Sequence, residues 1–156
     1  KNKLLLVIGI GNIGRRVADY MRPFMHVITF DILENNISEI PDMIHKADCI
    51  TLHIPKTDEN DAFMDKDRLA MMKDDAVLVN TARGAIVDED ALYSEVSSGR
   101  LRAAFDVFWQ EPYHGKLKKF YPKKFYMSPH IAGYTHSFLL GCRKALDDLI
   151  SDLSND

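Results

Sequence analysis

Three short apolar runs in this 156-residue chain each end in residues suited to acid–base or anion chemistry. After AVLVN (76–80) comes Thr81-Ala82-Arg83-Gly84. The run over 101–107 carries Asp106 near its end and is followed by Phe108-Trp109-Gln110-Glu111-Pro112. After FYMS (125–128) comes Pro129-His130-Ile131-Ala132-Gly133. An arginine offers a planar, two-pronged grip on a carboxylate. An imidazole, with an ordinary pKa of about 6.5, gives or takes a proton near neutrality. A carboxylate beside it stabilises the imidazolium and fixes the ring. On neighbouring parallel strands, Arg83, Glu111 and His130 would share one rim. That set suits reduction of a 2-keto acid or oxidation of a 2-hydroxy acid. Plainer readings stand beside it: Arg83 paired with Asp88 or Glu89, Glu111 as an ordinary loop acid, His130 capping the turn at Gly133.

The elements that must position these residues are legible as alternating patterns. Leu4–Ile8, His26–Phe30 and residues 49–54, 76–80, 101–107 and 125–128 are rich in Val, Ile, Leu and Phe. They mostly lack polar alternation, as strands covered on both faces do. Between them fall helical segments: Asn12–Met21, stopping before Pro23, then 42–47, 65–72, 88–97 and 134–153. Acidic residues open the segments at 65 and 88, which suits the helix dipole. The last segment sets Phe138, Cys142, Leu146, Leu149 and Leu153 at helical spacing. Such alternation predicts an α/β fold with a parallel, doubly wound sheet and right-handed crossovers. Ligands of open sheets of this kind sit at the carboxyl ends of the strands.

The first strand runs straight into GIGNIG, residues 9–14, which opens the first helix. In that context Gly9 allows a tight turn, Gly11 lets backbone approach a pyrophosphate, and Gly14 lets helix and strand pack closely. The amides around Asn12 and Ile13 would face phosphate at the positive helix end. Asp31 closes the second strand, where a carboxylate accepts from both ribose hydroxyls and repels a 2'-phosphate; Ile32 follows rather than an arginine. Both features favour NAD over NADP. The sheet is therefore expected to be of the Rossmann type, forming one dinucleotide-binding domain over residues 1–156. A methyltransferase would share this first half.

Composition narrows the classes. Apolar residues make up 46% and charged residues 28%, as in a globular chain, and the net charge of -3 argues against a general nucleic-acid binder. No apolar run approaches the roughly 18 residues of a membrane span. Cys49 and Cys142 read as core thiols of a reducing, cytoplasmic compartment rather than a disulfide or metal site. No metal is expected, since His26, His45, His114 and His136 show no ligand pattern. The five lysines of residues 116–124 read as a solvated loop edge. Trp109 reads equally as a wall of the substrate site or as core. A homodimer is left open, and the start at Lys1 suggests a fragment or a processed chain.

The stretches VIGIGNIG, LHIPKTDEN, VNTARGAIVDEDAL, AAFDVFWQEP and SPHIAG, in this order, resemble the nucleotide-binding domain of the D-isomer-specific 2-hydroxyacid dehydrogenases. The resemblance implies that Arg83 binds and polarises substrate, that His130 is the general acid/base, and that Glu111 pairs with it. It also implies that Asp106 holds the nicotinamide carboxamide and that Pro55, Thr81 and Ala82 line the cofactor cleft. Gly133 joins that cofactor set. His53, ending the third run, is read both as a cofactor contact and as a structural residue. Formate dehydrogenases of the superfamily resemble the pattern with Gln where this chain has Glu111. Three departures stand out: the family's second lobe is missing, Lys56 replaces a commonly apolar residue, and residues 113–124 do not match the usual loop. The expected function is NAD-dependent oxidation of a D-2-hydroxy acid or reduction of its keto acid. A non-enzymatic NAD-binding regulator of the corepressor type is the alternative.

Overall fold

Six of the apolar runs form strands: β1 (Leu4–Ile8), β2 (His26–Phe30), β3 (Cys49–Leu52), β4 (Val77–Asn80), β5 (Arg102–Phe105) and β6 (Phe125–Met127). The computed structural model describes residues 2–133 together with residues 135, 140, 143 and 144. All six strands pair in parallel, in the order β2-β1-β3-β4-β5-β6. A parallel pair needs a crossover on one face of the sheet, and helices supply it. The expected helices at 12, 42, 65 and 88 appear as α1 (Asn12–Met21), α2 (Ile40–Lys46), α3 (Lys66–Met71) and α4 (Glu89–Ser98). Most of the expected helix over 134–153, Cys142 included, lies outside the described residues.

Local chemistry sets the boundaries. Asp65 and Asp88 prove to be N-caps rather than first-turn residues: their carboxylates accept from Arg68 N–H and Ala91 N–H, both at 2.8 Å. Gly99, at φ +85, ends α4 in the left-handed conformation. Ahead of α2 sits an unforeseen 3₁₀ turn, Ile37–Glu39, held by a capping box. There Asn36 accepts from Ser38 N–H at 3.0 Å, and Glu39 accepts from Asn36 N–H at 2.9 Å. β3 stops at Leu52, two residues short of the apolar run, and Pro55, which has no N–H to donate to a ladder, follows shortly after.

Strand alternation sends side chains to two unequal faces. Leu6, Ile8, Ile50, Leu52, Leu78, Phe105 and Phe125 pack with Ile40 and Ile44 of α2, Leu69 of α3, and Leu92 and Val96 of α4. On the other face Leu5 and Val7 pack with Ala18 of α1. The second face is less covered than the continuous apolar runs suggest: Val79 and Ala104 are half-buried and Tyr126 is exposed.

One contact joins the β4 and β5 rims directly. A Cβ on Gly84 would lie 2.1 Å from Phe108 C and 2.4 Å from both Phe108 O and Trp109 N. The backbone after β5 lies against a glycine that no side chain can replace. Gly84→Ala should therefore destabilise the fold by about 1–3 kcal/mol in urea unfolding. Gly133→Ala, where a Cβ meets nothing within 4 Å, should leave the midpoint unchanged.

Candidate active site

The sheet changes winding direction at β1, which has β2 on one side and β3 on the other. The glycine turn fills that point. Gly9 N–H donates to Phe30 O at 2.8 Å, and His53 N–H donates to Ile8 O at 2.7 Å, so the turn is stitched to both neighbours. Gly9 sits at φ +94, with its hydrogen against the His53 carbonyl; a Cβ would approach that group to 2.7 Å. On Gly14, the third residue of α1, a Cβ would lie 1.9 Å from Gly9 O, so the helix can lie this close to the turn only with glycine there. Gly11 differs, because a Cβ there would meet nothing within 4 Å. It borders free space at the start of α1, beside Asn12 and Ile13. The Arg15 N–H reaches back to Gly11 O at 3.1 Å, and the amides before it precede the helical ladder. That is the arrangement a pyrophosphate fits.

Asp31 holds the turn from the β2 side. Its Oδ2 accepts from Ile10 N–H at 2.7 Å and its Oδ1 from Leu33 N–H at 3.0 Å. Each oxygen keeps a lone pair for a further donor. A cleft of about 350 Å³ opens beside it, with Gly9, Phe30, Ile32, Leu33 and Ile54 among its lining. A second cleft, about 500 Å³, contains Gly11, Asn12, Ile13, His53, Pro55, Lys56, Thr81, Ala82 and Arg83. The two share Gly11, His53, Ile54 and Pro55 and so adjoin along the loop after β3. Of the expected cofactor residues, nine of the twelve line the larger cleft or the turn beside it, and Asp31 lines the smaller one. Asp106 and Gly133 line neither. His53 is half-buried, its Nε2 is 3.0 Å from Thr51 Oγ1, and burial pushes its pKa down, which favours the neutral ring.

Glu111 and His130, expected as a pair, lie side by side. His130 Nδ1 lies 2.7 Å from Glu111 Oε2, and the other Glu111 oxygen accepts from Phe108 N–H at 3.1 Å. The bond from His130 holds the Glu111 carboxyl below its ordinary range, against a smaller opposing effect of burial. Both side chains remain open to solvent. His130 adopts φ +54, a conformation uncommon outside glycine. Arg83 is exposed, donates to Ala82 O at 2.6 Å, and is in no ion pair among the described residues. Its plainer reading fails, since Asp88 caps α4 and Glu89 accepts from Tyr113 Oη at 2.7 Å. Arg83 lines the cofactor-side cleft, whereas Glu111 and His130 line a separate apolar cavity of about 400 Å³ with Tyr113, Tyr121 and Met127. The three residues share a rim without sharing a pocket in this chain.

Sequence reasoning missed Asn80 altogether and the loop-holding role of Asp106, while of its two readings of Trp109 the core one holds. Asn80, fully buried, donates to Arg83 O at 2.8 Å and accepts from Ala82 N–H at 3.0 Å, clasping the turn from both ends. Asp106 is buried, and its carboxylate accepts from Ser128 Oγ (2.5 Å), Ile131 N–H (3.0 Å) and Ala132 N–H (2.8 Å). It thereby grips the His130 loop on both sides of the histidine. Trp109 donates from Nε1 to Val87 O at 2.6 Å and lies between Phe105 and Tyr113, so it is packing and strut rather than an open wall. A polar residue at the end of an apolar run was the available signal for Asn80.

Two outcomes test this geometry. Gly11→Ala should leave the melting temperature unchanged while weakening NADH binding in fluorescence titration, because its Cβ projects only into the cradle. For Asp106, burial raises the pKa, but the bonds from Ser128, Ala132 and Ile131 more than offset it, and the net shift is downward. A depressed folded pKa gives stability that is present above the unfolded value, about 3.9, and lost as pH falls through the folded one. Asp106→Asn should therefore flatten the loss of stability in acid, measured as melting temperature from pH 5 to about pH 2.

Comparison with known proteins agrees with this geometry. The family described as D-isomer specific 2-hydroxyacid dehydrogenase, NAD binding domain, matches residues 1–132. A D-3-phosphoglycerate dehydrogenase of Methanocaldococcus jannaschii is 38% identical over 70% of this chain and 23% of its own length. A hydroxypyruvate reductase of Thermotoga maritima is 37% identical over 75% of this chain and 41% of its own. The structure of D-lactate dehydrogenase from Aquifex aeolicus, complexed with NAD and lactic acid, superposes with a TM-score of 0.87 at 29% identity, covering 98% of this chain and 54% of that one. This chain thus spans about half, or less, of the relatives it matches, and the methyltransferase alternative falls. Its matched length, its sheet and its glycine turn agree: the chain belongs to the D-isomer specific 2-hydroxyacid dehydrogenase family, as an NAD-binding domain.

Proposed function

We propose that the protein containing this chain is an NAD-dependent oxidoreductase acting on a D-2-hydroxy acid or its 2-keto acid. The observation that carries the reading is the 2.7 Å pair of His130 Nδ1 and Glu111 Oε2, on the same sheet rim as Arg83. With Nδ1 committed to Glu111, Nε2 is the atom that gives or takes the hydroxyl proton. Glu111 steadies the ring and offsets the charge that the ring gains. Arg83, with no competing carboxylate among the described residues, grips the substrate carboxylate by its fork. Asp31 takes the ribose hydroxyls, the turn at Gly11, Asn12 and Ile13 takes the pyrophosphate, and His53, Pro55, Thr81 and Ala82 flank it. Asp106 keeps one acceptor position on Oδ2 for the carboxamide after serving the His130 loop. Bound NAD supplies the hydride acceptor for substrate C2.

The reading needs a second lobe. Arg83, Glu111 and His130 are all solvent-exposed, so among the described residues nothing fixes a substrate between them or excludes water. The cellular setting we infer is a reducing cytoplasm, in keeping with Cys49, a thiol whose pKa burial pushes up to about 11. Among the described residues no helix is long and apolar enough to cross a membrane.

In the full-length protein, His130→Ala should lower kcat by about 10²- to 10⁴-fold in a 2-keto acid screen with NADH, with NADH affinity unchanged. Arg83→Lys should raise KM for the keto acid more than it lowers kcat, because an ammonium lacks the fork. Wild-type turnover by His130→Ala would overturn the assignment. NADH should bind at least about tenfold more tightly than NADPH, and Asp31→Ala should narrow that gap.

A further inference from the structure

The two adjoining clefts differ in charge. Among the described residues, the only charged residue lining the smaller is Asp31, and the only charged residues lining the larger are the cations Lys56 and Arg83. A cleft of one sign concentrates ligands of the other. Arg83 already has an occupant in the function proposed above, namely the substrate carboxylate. Lys56 has none, yet it lines the same cavity as Gly11, Asn12 and Ile13, the free end of α1.

The loop that carries Lys56 is built. Asn60 Nδ2 donates to Pro55 O at 3.1 Å and Asn60 N–H donates to Thr57 O at 3.2 Å, closing a turn just after β3. Lys56 stands near its start and Asp61 just beyond its end, with Nζ 3.7 Å from Asp61 Oδ1. That is an ion pair without a hydrogen bond, so the ammonium keeps its donors. At 44% and 58% side-chain exposure the pair is weakly held. A phosphate oxygen at the α1 end would compete for Lys56 on favourable terms, since it offers a charge-assisted hydrogen bond that Asp61 does not make.

We propose that Lys56 is a phosphate-binding residue: its ammonium parts from Asp61 and grips the pyrophosphate of the dinucleotide. Asp61 acts as its counter-ion in the free protein and so tunes the affinity. The assignment rests on the dinucleotide reading of the glycine turn and goes beyond it, because the motif itself recruits only backbone amides.

The test uses this chain and three probes: NADH, ADP and adenosine, titrated by fluorescence or calorimetry without keto acid. Lys56→Met should weaken NADH and ADP by about 5- to 20-fold, leave adenosine unchanged and flatten the salt dependence. Asp61→Asn should shift NADH the opposite way, tightening it about two- to threefold, which a merely structural loop residue would not do. Both positions are exposed, so melting temperatures should not move. If the unsubstituted chain binds NADH and Lys56→Met binds it equally well, the phosphate role is overturned alone. An effect that appears only when a keto acid is added would overturn it in favour of substrate contact. Failure of the unsubstituted chain to bind NADH would overturn the dinucleotide reading together with it.

Discussion

The site depends on two places where backbone lies against backbone with no room for a side chain. Gly14 packs on the Gly9 carbonyl, where a Cβ would come within 1.9 Å, and Gly84 packs on Phe108, where it would come within 2.1 Å. The first contact lets α1 leave β1 at the angle that exposes its amino end. The second lays the loop after β5 directly over the loop after β4. Side chains cannot yield at such distances, since the opposing atoms are backbone. The positions of Asn12, Arg83 and Glu111 therefore follow from glycines that contact no ligand in the function proposed here.

Polar side chains at the strand ends complete what the glycines begin. Asn80 and Asp106 are buried at 0% and 4% exposure, and each spends its hydrogen bonds on the loop that follows or faces it. An unpaired buried amide or carboxylate would cost more than a hydrogen bond returns, so these residues are stable only with the loops in place. The left-handed conformation of His130 lies between Ser128 and Ile131, both held by Asp106. Local strain there is offset by a clamp on either side.

Charge is distributed to match the chemistry of a dinucleotide. Among the described residues Asp31 is the one charged residue lining the smaller cleft, and Lys56 and Arg83 line the larger; in the function proposed here these are the ribose end and the phosphate and substrate end. The separation arises because successive strand ends supply successive stations along the rim: β2 gives Asp31, β3 gives Lys56, β4 gives Arg83. In the proposed function, strand order across the sheet thus becomes ligand order along the cleft, running from β2 through the switch point to β4.

The sequence by itself determined the strands and four of the helices, because apolar runs bounded by glycine, proline and acidic caps act locally. It also determined the glycine turn and the position of Asp31, through types of residue at strand ends; the pairing of Glu111 with His130 came with the family resemblance. Only the tertiary structure decided that Asp106 serves the His130 loop, that Asn80 clasps the Arg83 turn, and that Trp109 bonds Val87. Those partners lie in segments distant in sequence or depend on which way a side chain turns, and periodicity carries neither fact. The lesser coverage of the second sheet face was likewise invisible: an apolar run records what a strand can bury, and the packing of helices against each face decides what it does bury.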